Sequence, residues 1–148
     1  MPQYSFIPTA ETLDIADDVR ELFEDLAARL PREHRAYSGE CRPPLDVLET
    51  DEAVSIVVDV AGIPAEAMRI MFRAGVVVIA GEKAPPPQEQ PQTFHLVERE
   101  FGRFARGVRL NGCYDISRAQ ATLRNGELLI VIPKMADRRG QAHRIAIE

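Results

Sequence analysis

The side chains of this 148-residue chain best suited to covalent or metal chemistry are three histidines, His34, His95 and His143, and two cysteines, Cys41 and Cys113. A thiol held by an imidazole is a nucleophile pair, and three or four such groups at short spacing hold a zinc ion. Neither pattern is present. The histidines fall in three different regions, neither cysteine stands beside a histidine, and the two cysteines are far apart. They match no metal or disulfide framework and read as free thiols of a reducing cytoplasm. No G-x-x-x-x-G-K-[ST] occurs and no G-x-G-x-x-G follows a strand, so nucleotide chemistry is not expected. No metal, no cofactor and no catalysis follow from these residues.

The chemistry that remains is apolar docking. The chain closes on Arg144-Ile145-Ala146-Ile147-Glu148. In an extended segment, residues one apart in this way point to the same side. Ile145 and Ile147 therefore form an apolar pair on a polar stem, Lys134 to His143. Such a pair reads as a plug for a sheet edge or groove, and a second copy of the chain is the natural socket.

Three regions must position these residues. Residues 1–42 form an arm. Ile15, Ala16, Val19, Leu22, Phe23, Leu26, Ala27 and Leu30 recur at spacings of three and four, one face of an amphipathic helix. Thr12 or Asp14 is expected to cap its start, and Pro31 ends it. Ahead of it lies the apolar segment Tyr4-Ser5-Phe6-Ile7-Pro8.

Residues 43–133 read as strands. Leu45 to Leu48, Val54 to Val60, Met68 to Phe72 and Val76 to Ala80 are rich in β-branched or alternating apolar residues. Gly81 to Gln92 carries Pro85, Pro86, Pro87 and Pro91 and reads as a loop, since proline lacks the ladder donor. Phe94 to Glu100 and Phe104 to Leu110 read as two further strands. Asn125-Gly126, between Ala119 to Arg124 and Glu127 to Ile132, predicts a type I′ hairpin. Many short strands without β-α alternation argue for an all-β sandwich. Residues 134–148 form a polar, flexible tail.

Bulk numbers agree with a soluble globular domain. Hydrophobic content is 45% and net charge is −5, so nucleic acid is not an expected partner. No apolar run approaches the ~20 residues of a membrane span, and no secretory signal opens the chain. The helix is acidic, which argues against anionic lipid.

In this order the segments carry a resemblance. Pro43 to Asp51 looks like the domain start of the small heat shock proteins, the α-crystallin/Hsp20 family, in its bacterial form. Val58-Asp59-Val60-Ala61-Gly62-Ile63 resembles the family's "D-x-P-G-[VI]" turn, with Ala61 replacing proline. Gly81-Glu82 matches the end of the next hairpin. Glu98-Arg99-Glu100-Phe101-Gly102-Arg103-Phe104-Ala105-Arg106 is similar to "E-R-x-[YF]-G-x-F-x-R". Ala121 to Leu128 matches "A-x-x-x-N-G-x-L", and Ile145-Ala146-Ile147 matches the tail motif. Asn111, Gly107-Val108 and Glu127 depart from the usual residues.

The resemblance implies an immunoglobulin-like β-sandwich, the α-crystallin domain, at 43–133. It implies an ATP-independent holdase that binds unfolding proteins and assembles as oligomers of strand-exchanged dimers. Phe94-His95-Leu96-Val97 would be the donated strand, or else fold back on its own sheet. Arg106 would lie near the dimer interface, with Glu98 or Glu100 as its carboxylate partner or with its guanidinium in solvent. Ile145 and Ile147 would dock in a groove lined by Met68, Ile70, Phe72, Ala121 and Leu123. Phe6, Ile7, Leu22, Phe23 and Leu26 would contact client proteins or pack between subunits. The competing reading is a β-sandwich co-chaperone, a docking module without holdase activity.

Overall fold

The computed structural model of the chain describes residues 11–29 and 41–136. One helix, α1 (Glu11–Arg29), precedes seven strands: β1 (Leu45–Glu49), β2 (Ala53–Asp59), β3 (Met68–Arg73), β4 (Val76–Lys83), β5 (Gly102–Arg109), β6 (Gln120–Arg124) and β7 (Glu127–Pro133). The strands form two antiparallel sheets, ordered β1-β2-β7-β6 and β3-β4-β5. The expected all-β sandwich is the observed one.

Alternation makes the core. In β2, Val54, Ile56 and Val58 point inward, and their partners on β7, Ile132, Ile130 and Leu128, do the same. From the other sheet Val77, Ile79, Phe104 and Val108 close on them. Each fully buried aliphatic side chain stabilises the fold by about 1.5–3 kcal/mol relative to exposure.

Two tight turns set the register. Asn125 (φ 53°) and Gly126 (φ 77°) both occupy the left-handed region between β6 and β7, the conformation a type I′ turn demands. Ala74 (φ 50°) and Gly75 (φ 79°) do the same between β3 and β4.

Four expectations are corrected. Strand β4 runs on through Gly81 and Glu82 to Lys83, so the proline-rich loop starts at Ala84. Gly81 permits this because it faces the Phe104 ring. A Cβ there would lie 2.5 Å from Phe104 Cζ and 2.8 Å from the Ala67 carbonyl oxygen. A glycine inside a strand often marks such a close approach. We predict that Gly81→Ala lowers stability by about 1–3 kcal/mol, the usual cost of overpacking. Urea denaturation measures it, and an unchanged midpoint would show that the Phe104 ring can swing aside.

Second, Phe94 to Glu100 forms no strand among the described residues. It joins neither sheet and lies exposed. Its alternation is real, but a strand needs a neighbour to supply ladder bonds. Third, α1 already includes Glu11, so Thr12 and Asp14 lie inside the helix rather than ahead of it. The fourth correction concerns Arg106, described with the site below.

Candidate functional site

The thiols are accounted for first. Cys41 is buried at the start of the domain, where its backbone N–H bonds the Arg103 carbonyl at 3.2 Å and its Sγ donates to the Gly102 carbonyl at 3.4 Å. Burial pushes its thiol pKa up, against the charge of Lys83. That makes Cys41 a peg that ties the chain before β1 to β5, not a nucleophile. Cys113 is half-buried in a shallow cleft of about 210 Å³ shared with Tyr114, Lys134 and Glu49. Lys134 Nζ donates to Glu49 Oε1 at 2.5 Å across that cleft, and this bond raises the lysine pKa. Among the described residues no three His, Cys, Asp or Glu side chains cluster to hold a metal. His34 and His143 lie outside the described residues, and His95 is exposed on the loop.

Arg106 sits opposite Ile79 on the inward face of β5. Its Nη1 donates to the Pro43 carbonyl at 2.5 Å. Burial lowers its pKa, and the like charge of Arg42 adds to this. Sequence pointed to Glu98 or Glu100 as its partner. The bond it makes goes instead to a backbone oxygen, because the Cys41–Pro44 segment runs along β5 and brings that carbonyl to it. Glu98 and Glu100 lie exposed on the loop.

The predicted groove falls on sheet edges. The chain before β1 is pegged to β5, which places β5 at the β1 end of the sandwich. The edge strands β3 and β6 then share the opposite rim. Met68 is buried in the core, Phe72 and Leu123 pack against it, and Ile70 and Ala121 stay exposed. All five lie on the inward faces of their strands: Met68, Phe72 and Leu123 form the floor of the rim, and Ile70, opposite Ile79, and Ala121, opposite Ile130, face the same way at its open margin. Among the described residues neither edge has a second ladder partner, so each offers backbone groups as well as side chains.

Among the described residues β1 is an edge strand too. Val47 and Leu48 are 47% and 54% exposed there. On the loop, Phe94, Leu96 and Val97 are 62%, 73% and 62% exposed. Single exposed apolar residues mean little, but runs on an edge and on a loop mark interaction surface. Phe101 anchors the end of that loop, with the Arg99 guanidinium 5.0 Å and the Lys83 ammonium 5.7 Å from its ring centre.

Of the helix residues expected to meet clients, Leu26 is buried and Leu22 and Phe23 are half-buried. Helix α1 packs on β4 and β3. Sequence periodicity missed how it is held there: Asp18 is buried and pairs with Arg73 at 2.6 Å, and Asp25 pairs with Arg69 at 2.8 Å. The bond from Arg69, with further help from Arg29, holds the Asp25 carboxyl below its usual pKa. Phe6, Ile7, Ile145 and Ile147 lie outside the described residues. No described helix is long and apolar enough to cross a membrane.

Comparison with known proteins matches this architecture. A profile of the Hsp20/alpha crystallin family covers residues 46–148. The chain is 29% identical over 136 residues to "Heat shock protein 16" of Schizosaccharomyces pombe, covering 90% of this chain and 89% of that protein. The solved structure of heat shock protein 16.0 from the same yeast superposes with a TM-score of 0.60 at 29% identity, over 74% of this chain and all of that one. A small heat-shock protein from Xylella fastidiosa gives a TM-score of 0.63 at 27% identity, over 73% and 97% of the two chains. Two antiparallel sheets, the Asn125-Gly126 hairpin and a profile match over more than half the sequence lead to one conclusion: the chain belongs to the Hsp20/alpha crystallin family of small heat shock proteins.

Proposed function

We propose that the protein is an ATP-independent holdase. It binds unfolding proteins through apolar surface, keeps them from aggregating, and assembles from copies of itself. The observation that carries this reading is the exposed run Phe94 to Val97, in a chain whose β1 edge is also apolar and open. In a lone copy both would be wasted surface. Paired across two copies, the run from one protomer extends the β1 edge of its partner by ladder bonds, and Val47 and Leu48 gain neighbours. Pro85, Pro86, Pro87 and Pro91 stiffen the crossing loop and lower the entropy lost on docking. Arg106 lies at the same end of the sandwich, beside the junction.

Domain limits follow: an arm at 1–42, the α-crystallin domain at 43–133 and the docking tail at 134–148. Ile145 and Ile147 would seat on the β3–β6 rim of another dimer. Neither Cys41 nor Cys113 forms a disulfide, in keeping with a reducing cytoplasm. Neither nucleic acid nor membrane is a partner in this reading. The Xylella relative's title describes a distinct high order structure, which is in keeping with assembly of this kind.

Light scattering from a thermolabile enzyme heated with the protein, in the absence of nucleotide, tests the holdase. Scattering should fall in proportion to added protein and nearly vanish near equimolar subunits. The same assay with residues 1–35 deleted should lose most of the protection. Full protection by the truncated chain would remove the arm from client binding, and unchanged scattering with the full chain would refute the holdase altogether.

A further inference from the structure

Strand β4 is buried on both faces, and only one of them is the sandwich core. Val77 and Ile79 belong to that core. Val76, Val78 and Ala80 point the other way by strand alternation, yet they are as fully buried. The cover is α1. Arg73, Met71 and Arg69 pair with Val76, Val78 and Ala80 on β3, so they share that outer face. The helix meets it through Asp18 to Arg73 and Asp25 to Arg69. On the far side Ala105 and Gly107, opposite Ala80 and Val78 on β5, leave room for a helix. Arg103 closes that side, its guanidinium 5.3 Å from the Phe23 ring centre and its Nε 3.7 Å from Glu82.

The charge spacing is matched to the two elements. Asp18 and Asp25 lie seven residues apart, two helical turns, so both face the sheet and stand about 10 Å apart along the axis. Arg69 and Arg73 are four residues apart on a strand, about 13 Å and on one face. Flexible arginine arms take up the difference. Helix and strand run antiparallel, and reversing or sliding α1 by one turn would break both pairs. The Asp18 side chain is 4% exposed and that of Arg73 65%, so the pair is buried at its carboxylate end and open to solvent at its guanidinium end.

We propose that α1 is a releasable cover that shuts the apolar outer face of β3–β4–β5 in cis, with Asp18–Arg73 and Asp25–Arg69 as the fastening. Release would uncover two apolar strips together: Val76, Val78 and Ala80 on the sheet, and Leu22, Phe23 and Leu26 on the helix. This deepens the holdase reading by supplying a gate for its surface. The fastening itself stands without that reading, because it is measured on the free protein.

Hydrogen exchange of α1 amides in the full chain, with binding of an apolar-surface dye, reads the latch. Asp18→Arg alone and Arg73→Asp alone should each cost α1 roughly tenfold or more in protection and raise dye binding. Exchange in β2 and β7 should stay unchanged, which separates release from unfolding. Asp18→Arg with Arg73→Asp should restore protection, and so should the reversed pair Asp25→Arg with Arg69→Asp. Unchanged protection in the single variants would overturn the proposal. So would failure of both reversed pairs to restore it. Recovery on mixing the Asp18→Arg protein with the Arg73→Asp protein would show fastening between copies, and would equally overturn a latch in cis. Aggregation assays are not part of the readout, so a failed holdase and a failed latch give different results.

Discussion

With Ile145→Ala and Ile147→Ala together, the assembled protein is expected to fall apart into dimers while each subunit stays folded. Burying one isoleucine contributes about 1.5–3 kcal/mol, so the pair contributes about 3–6 gross per docking. Ordering the polar stem from Lys134 to His143 offsets a large share of that. Each docking should therefore be weak and quick to exchange, with the assembly held by many acting together. Truncating both side chains removes nearly all the apolar gain at every site at once. The β3–β6 rim, with Met68, Phe72 and Leu123 in its floor, keeps its own packing because these residues already rest on the core. Sedimentation velocity of the double variant checks this. Large oligomers of unchanged size would sink the plug, and monomers would mean that the tail also holds the dimer.

The dimer itself should yield to a substitution on the loop. His95→Pro with Leu96→Pro, placed in the alanine-tail background, is expected to give monomers. In a donated edge strand, successive N–H groups point alternately toward and away from the partner. Proline at both positions must remove one that faces it. A lost ladder bond that strands a carbonyl costs about 1–3 kcal/mol. Two-fold symmetry doubles this to about 2–6 kcal/mol per dimer. Within one chain the loop joins no sheet and Leu96 is 73% exposed, so the subunit fold should be untouched. Native mass spectrometry over a dilution series reads the dissociation constant. A value unmoved by both prolines would place the dimer contact elsewhere, with the exposed Val47 and Leu48 as the next surface to probe.

Local chemistry was legible where a residue type has one structural use. Asn125-Gly126 announced its hairpin because few other pairs accept positive φ twice. The inward residues of β2 and β7 were readable from alternation and β-branching. Reasoning weakened where the deciding partner is distant in sequence. Gly81 looked like the start of the proline-rich loop, but it is the notch within β4 that receives Phe104. Arg106 seemed to want a carboxylate, yet its acceptor is a carbonyl from a segment 63 residues away. Nothing in the helical spacing singles out Asp18, and only the placement of Arg73 explains why it is buried. Phe94 to Val97 alternates like a strand but pairs with no strand among the described residues. That mismatch between pattern and structure is what points outward, to a second copy.

Size-exclusion chromatography coupled to light scattering, on the protein alone and after mild heating with an unfolding client, tests self-assembly and client capture together. The expected result is a mass of many subunits for the protein alone, and after heating a larger soluble species that contains the client. A stable 16.5 kDa monomer that leaves the client in the pellet would contradict the account and favour a docking module built on the same sandwich.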